Sequence, residues 1–251
     1  MAAESSTSRR WVPWVIGAVV AVLVIVVGGP FVYIHFIEGK PPPPLSLASQ
    51  ATTTTLAGPA STTGSTAPSS STASASQAGF DGTWNVASGS QAGYRVKETL
   101  FGQSNTAVGR TSAVTGKIVV QGTSVTSGTF SVDLTKVSSD QSQRDQQFRG
   151  RIMQTSQFPT ATLTLTSPIQ VSTVPADGAQ TTANASGNLT MHGVTKPVTF
   201  QVTAQRSGDT IAASGSIPIT FADWNIDNPS GGPAQTEDHG ILEFLVNLTH
   251  A

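Results

Sequence analysis

The sequence predicts an all-β fold, an antiparallel eight-stranded barrel with a short helix in a mid-chain connection, preceded by one transmembrane helix and a disordered linker. Three observations predict it. From Phe80 onward, apolar residues recur at every second position in segment after segment, the period of a strand with one buried face. Glycine-rich turns rather than helices separate those segments, which favours an antiparallel meander over a parallel sheet. Finally, Trp11 to Ile37 holds no Asp, Glu, Lys or Arg, a run longer than the roughly 20 residues that cross a bilayer as a helix.

Taken in order, residues 1–10 read as a cytoplasmic tail and 11–37 as a transmembrane anchor. Pro13 falls in the first turn, where a missing N–H is tolerated, and Trp11, Trp14 and Tyr33 stand near the ends as interfacial anchors do. Arg9 and Arg10 precede the span while Glu38 and Lys40 cancel after it, so the N-terminus is expected in the cytoplasm and the C-terminal domain outside it. A cleaved signal peptide is the competing reading; the length of the apolar run and the lack of a small-x-small site soon after it favour an uncleaved anchor. Residues 38–79 are nearly all Pro, Ser, Thr, Ala and Gly. Such a segment buries too little apolar surface to offset its ordering entropy and reads as a disordered tether, with a sugar-bearing stalk as an alternative.

The folded domain is expected over 80–251. Its strands are marked by Trp84 and Val86; Tyr94 and Val96; Ile118 and Val120; Phe130, Val132 and Leu134; and Leu163 and Leu165. They continue with Val198, Phe200 and Val202; Ile217, Ile219 and Phe221; and Leu242, Phe244, Val246 and Leu248. About eight strands can close on themselves, which removes exposed edges and leaves an interior filled by side chains or wide enough for one small ligand. Alternation alone does not distinguish these, because a packed interior and a lined hollow share one period. Ser138 to Pro159 breaks the alternation: Phe148 and Ile152 stand four apart beside Met153, with Arg144, Asp145, Gln147 and Arg151 on other faces. That pattern predicts a short amphipathic helix, interrupted by Gly150, either turned over a barrel opening as a lid or covering a strand edge.

Composition narrows the chemistry. Charged residues are only 11% of the chain and the net charge is −1 with no basic cluster, so a nucleic-acid partner is not expected. Zero cysteines exclude disulfides, thiolate catalysis and Cys-ligated metals. There is no Gly-x-Ser-x-Gly elbow and no His-Glu-x-x-His helix. His192, followed by Gly193 between two apolar runs, reads as the surface of a hairpin turn in which glycine supplies a positive φ. Glu237, Asp238 and His239 are adjacent on an extended segment, where side chains alternate faces, and read as a solvated loop. No catalytic residue, no metal site and no cofactor is therefore expected. Asn228 to Gln235, "NPSGGPAQ", is a long loop expected to rim the barrel mouth.

"GNLTMHGVTKPV", beginning at Gly187, resembles the Gly-x-Leu-Thr-x-x-Gly-x-Thr-Lys-Pro-Val signature of the YceI-like family. Trp84, Arg144-Asp145, Phe158-Pro159 and "FADWNI" at Phe221 to Ile226 follow the family's order, so the resemblance covers the whole domain. It implies a lipocalin-like barrel, a bacterial cell-envelope setting, a polyisoprenoid or other long amphiphilic chain as ligand, and twofold association into a homodimer. The candidate lipid-binding lining is the inward set: Tyr94, Phe130, Val132, Leu134, Phe148, Ile152, Leu163, Leu165, Phe200, Val202, Ile217, Ile219, Phe244 and Val246. A hydrocarbon tail gains about 0.8 kcal/mol per methylene on leaving water, so a dry tunnel lined this way would draw one in. Two readings follow: a membrane-anchored carrier of an isoprenoid or similar lipid, or a non-catalytic interaction module of the cell envelope with a fully packed barrel.

Overall fold

The computed structural model describes residues 40–47, 80–100, 102–231 and 234–251. The tail expected at 1–10, the anchor at 11–37 and the linker at 38–39 and 48–79 lie outside the described residues. Among those described, no helix is long and apolar enough to cross a membrane.

The strands are β1 (Gly82–Val86), β2 (Gln91–Leu100), β3 (Gln103–Thr111), β4 (Val114–Gln121), β5 (Ser124–Asp133) and β6 (Thr160–Leu165), followed by β7 (Ile169–Gln170), β8 (Gln180–Met191), β9 (Val194–Ser207), β10 (Thr210–Thr220), β11 (Ala234–Thr236) and β12 (His239–His250). Neighbours pair antiparallel. Strand β12 pairs with β2 through Ile241–Leu245 and with β1 through Leu248–His250, so β1 and β2 are two lengths of one bent strand. Strands β3 and β4 pair with β2 and β1 in the same way and form the next. The bend between β1 and β2 is held by Ser90, 2% exposed, whose Oγ donates to Ala87 O at 2.7 Å and accepts from Asn247 N at 3.0 Å. Counting the bent pairs once, β5, β6, β8, β9, β10 and β12 complete an eight-stranded closed barrel, with β7 and β11 as short additions on β5 and β2.

The alternation predicts the inward faces because a strand's side chains point to opposite sides in turn. In β12, Leu242, Phe244, Val246 and Leu248 join the interior clusters. Two expected strand residues fall just outside strands: Leu134 opens a 3-10 turn (Leu134–Lys136) and Phe221 opens another (Phe221–Trp224). Both remain buried in the core. At the first, Asp133 Oδ1 accepts from Thr135 N at 2.9 Å and from Thr135 Oγ1 at 2.6 Å, which diverts the chain out of the ladder. Strand β3 matches no apolar run in the sequence, and of β8 only the end beside the His192-Gly193 turn does. In β8 the buried positions include Ala185 and Gly187, too small to register as hydrophobic periodicity.

The expected helix is present but changes form. It begins as α1 (Ser142–Gln147) and passes into a π-helical turn over Phe148–Ile152, which contains Gly150. Asp145 Oδ1 accepts from Ser139 N at 2.8 Å and Ser139 Oγ at 2.7 Å, fixing the chain's entry to the helix.

One part of the expected linker is not a free tether. Residues 40–47, "KPPPPLSL", lie against the outside of the barrel, with Leu45 and Leu47 buried in a cluster with Leu245 and in contact with Ala212. Composition missed this because the contact comes from residues two hundred positions away, not from the segment itself.

Candidate binding cavity

The barrel is hollow. A cavity of about 1050 Å³ runs through it, walled chiefly by apolar side chains. All fourteen residues expected on the inward face line this cavity, from Tyr94 on β2 to Val246 on β12. The fully packed barrel is thereby overturned: the inward residues are large enough to coat the wall, but alanines such as Ala92, Ala183 and Ala213 share the lining and leave the centre open. Phe200 and Phe244 meet edge to face, ring centres 5.9 Å apart, on one side of the hollow.

The connection from β5 to β6 covers one end, and Phe148 and Ile152 do turn inward from it. Phe148 stacks on Tyr94, ring centres 5.1 Å apart and planes 13° from parallel. The Tyr94 ring also lies close to Gly109, where any side chain would collide with it. Burial pushes the Tyr94 phenol well above its ordinary value, opposed in part by the positive charge of Arg144. Polar groups gather on this side of the lining: Glu98, Gln143, Arg144, Gln147 and Arg151. Arg144 Nη2 reaches Glu98 Oε1 at 3.3 Å, joining the helix to β2, and it also pairs with Asp140. Arg151 Nη2 donates to Pro229 O at 3.0 Å, so the loop from Asn228 does rim this end, with Pro229, Gly231 and Ala234 in the lining.

At the opposite end Phe80 lines the cavity beneath the guanidinium of Arg206, 4.5 Å from its ring centre. Trp84 Nε1 donates to Phe80 O at 3.0 Å and seats it. This closure was not visible in the sequence, since Phe80 precedes the first strand and Arg206 sits near the end of β9.

His192 is in a hairpin turn, as expected, but it is not on the surface. It has φ 49° and Gly193 φ 76°, the two positive values of a type I′ turn between the paired Met191 and Val194. Its ring is buried, edge-on to Phe158 with centres 4.8 Å apart. Nδ1 lies 3.0 Å from Trp224 O, and since a carbonyl only accepts, the proton is on Nδ1. This leaves Nε2 buried without a partner. His192 thus pins the β8–β9 hairpin to the turn at Phe221–Trp224, away from the fourteen-residue lining. Glu237, Asp238 and His239 are exposed, yet both carboxylates reach the imidazole: Glu237 Oε2 at 3.2 Å from Nε2 and Asp238 Oδ1 at 2.8 Å from Nδ1. Adjacent residues converge here because the chain bends before β12 begins. The imidazole contact holds the Asp238 carboxyl below the usual range. Among the described residues no group of three His, Cys, Asp or Glu is arranged to hold a metal ion.

A model of the YceI-like domain matches residues 55–248. The chain belongs to the YceI-like family. The match begins upstream of Phe80, the boundary read from the sequence. Among solved structures, this YceI-like barrel is similar to a polyisoprenoid binding domain from Saccharophagus degradans implicated in plant cell wall breakdown, with TM-score 0.53 and 16% identity over 68% of this chain and 99% of that one. At that identity the likeness is one of fold. Burkholderia cenocepacia BcnA (TM-score 0.47, 19% identity, 61% of this chain and 95% of that) and a Campylobacter jejuni YceI protein (0.43, 14%, 55% and 83%) also match. A UPF0312 protein of Pseudomonas putida (strain GB-1) is 36% identical over 77 residues, 28% of this chain and 40% of that protein. The matched stretch therefore spans less than half the length of that curated relative.

The part of the YceI-like cavity that sequence reading missed is its polar end. Glu98 continues the Tyr94, Val96 alternation by one step, so its inward direction was legible. Its partner Arg144 was not, being 46 residues away on a different element.

Proposed function

We propose that this protein is a membrane-anchored, extracytoplasmic lipid-binding protein that sequesters or carries an isoprenoid or similar long apolar chain inside its barrel. The observation that carries the reading is the hollow of about 1050 Å³ with an apolar wall and a polar, charged end beside a helix. An apolar tail in such a hollow gains about 0.8 kcal/mol per buried methylene, while a polar head group finds Glu98, Arg144 and the glutamines of the covering helix. The Saccharophagus relative is described as polyisoprenoid binding, which supports a ligand of that class. The uncharged run Trp11–Ile37 after Arg9 and Arg10 supports the anchor and its orientation. No covalent step forms part of the function.

The test is mass spectrometry of organic extracts of the purified full chain, together with binding of a long-chain polyprenol. Wild type is expected to release a long apolar molecule and to take up polyprenol. Phe200→Asp, which puts a carboxylate on the cavity wall, should abolish both, and Phe148→Ala should weaken retention with less disturbance of the core. No extractable lipid and no polyprenol binding by a folded wild type would overturn the reading. Alkaline extraction of membranes tests the anchor, and native mass spectra, which report subunit number, test the homodimer that the family resemblance implies.

A further inference from the structure

We propose that the outside of the barrel carries a docking site for a proline-rich extended strand, filled in this chain by its own residues 40–47. The site is centred on Glu243, which stands on the outward face of β12 and is nonetheless 4% exposed. An outward glutamate on a barrel strand is ordinarily solvated, and burying a carboxylate is costly unless it is paired and hydrogen-bonded. Here Arg110 Nη2 lies 2.8 Å from Oε1 and Arg95 Nε 3.4 Å from Oε2. The three residues are built into one line: Gly93 on β2 stands directly opposite both Arg110 on β3 and Glu243 on β12. A side chain at Gly93 would meet Arg110 Cγ at 2.9 Å, so glycine there opens the path by which Arg110 crosses to Glu243.

The strap matches this face donor for acceptor. Pro41 to Pro44 have no N–H, so their backbone offers only carbonyls, while guanidinium groups offer only donors. Arg95 Nη2 donates to Pro42 O at 2.7 Å and Arg110 donates to Pro43 O. The first N–H after the proline run, that of Leu45, donates to Glu243 Oε2 at 3.3 Å. Leu45 and Leu47 then bury against Leu245. Prolines hold the segment extended before it docks, which reduces the ordering entropy that docking costs.

Docking changes the geometry of the tether. A free coil of forty or so residues would place the barrel roughly 35 Å from its anchor on average. With residue 40 fixed to the barrel, only the few residues after position 37 intervene, a reach of about 10 Å. This consequence rests on the anchor proposed above; the docking itself does not.

Hydrogen exchange of the full chain, read by mass spectrometry at the amides of residues 45–47, tests the site. Slow exchange in wild type is expected, becoming fast in Leu45→Asp/Leu47→Asp and in Arg110→Ala, with the strands of the barrel still protected. A synthetic peptide of residues 40–47 added to the Leu45→Asp/Leu47→Asp chain should bind, and should bind at least tenfold more weakly when Arg110→Ala is also present. Fast exchange at 45–47 in wild type, or no peptide binding by the folded double variant, would overturn the proposal. Co-purified lipid measured on the same variants reads the cavity separately: retained lipid with a released strap leaves the lipid-binding reading intact.

Discussion

Tyr94 shows how one inward side chain links packing to chemistry. Its ring stacks on Phe148 and lies close to Gly109; the Tyr94–Phe148 aromatic pair is worth about 0.5–1.5 kcal/mol beyond its buried area. Burial raises its phenol above the ordinary value near 10. The folded chain therefore keeps the Tyr94 proton at pH values where the unfolded chain loses it. Tyr94's contribution is fully present below pH about 10 and declines as pH rises beyond it. Tyr94→Phe is expected to flatten the fall in stability between about pH 10 and 11, measured by urea unfolding across that range; an unchanged slope would count against burial of the phenol. Tyr94 was legible as inward from its spacing to Val96. His192 was legible as a turn residue but not as a buried one, because the contact that buries it, Trp224 O, comes from 32 residues further along.

The helix and its π-helical extension close one end of the cavity. They are joined to the barrel by Tyr94–Phe148 stacking, by Arg144–Glu98 and by Arg151 donating to Pro229 O. Only the last two are polar contacts that can exchange for water, so the covering element should open by releasing them. Arg144→Ala leaves Glu98 without this guanidinium, at 12% side-chain exposure. Release of a bound polyprenol is expected to quicken by roughly tenfold, equivalent to about 1.4 kcal/mol, while far-ultraviolet circular dichroism stays unchanged. Equal release rates in a stopped-flow displacement experiment would show that this contact does not hold the lid. The helix was readable from Phe148 and Ile152. Its break into a π-helical turn was signalled only by Gly150, and the earlier part of β8 was missed because Ala and Gly at its inward positions carry no hydrophobic signal.

Across the whole molecule, a ligand that binds the folded barrel and not the unfolded chain must stabilise it. At a hundred times its dissociation constant a polyprenol would add about 2.7 kcal/mol, raising the melting temperature by roughly 5–10 °C for a domain of this size. Differential scanning calorimetry with and without polyprenol checks this, and Phe200→Asp should show no shift. The same scan on the strap variants should show a lower baseline stability with the ligand-induced increment preserved, since the strap and the cavity lie on opposite faces of β12.

The sequence by itself determined which side chains face inward, because the two-residue period of a strand is a local property that a list of residues displays directly. It also determined the turn at His192-Gly193, where only a short menu of backbone angles closes the hairpin. Whether the inward faces would meet or leave a hollow was decided by tertiary structure, since that depends on strand number, tilt and the placing of small residues on strands far apart in the chain. The burial of Glu243 was decided in the same way: its cover is a proline segment 198 residues distant, and no local pattern reports a contact between charges and carbonyls that only the closed barrel brings together.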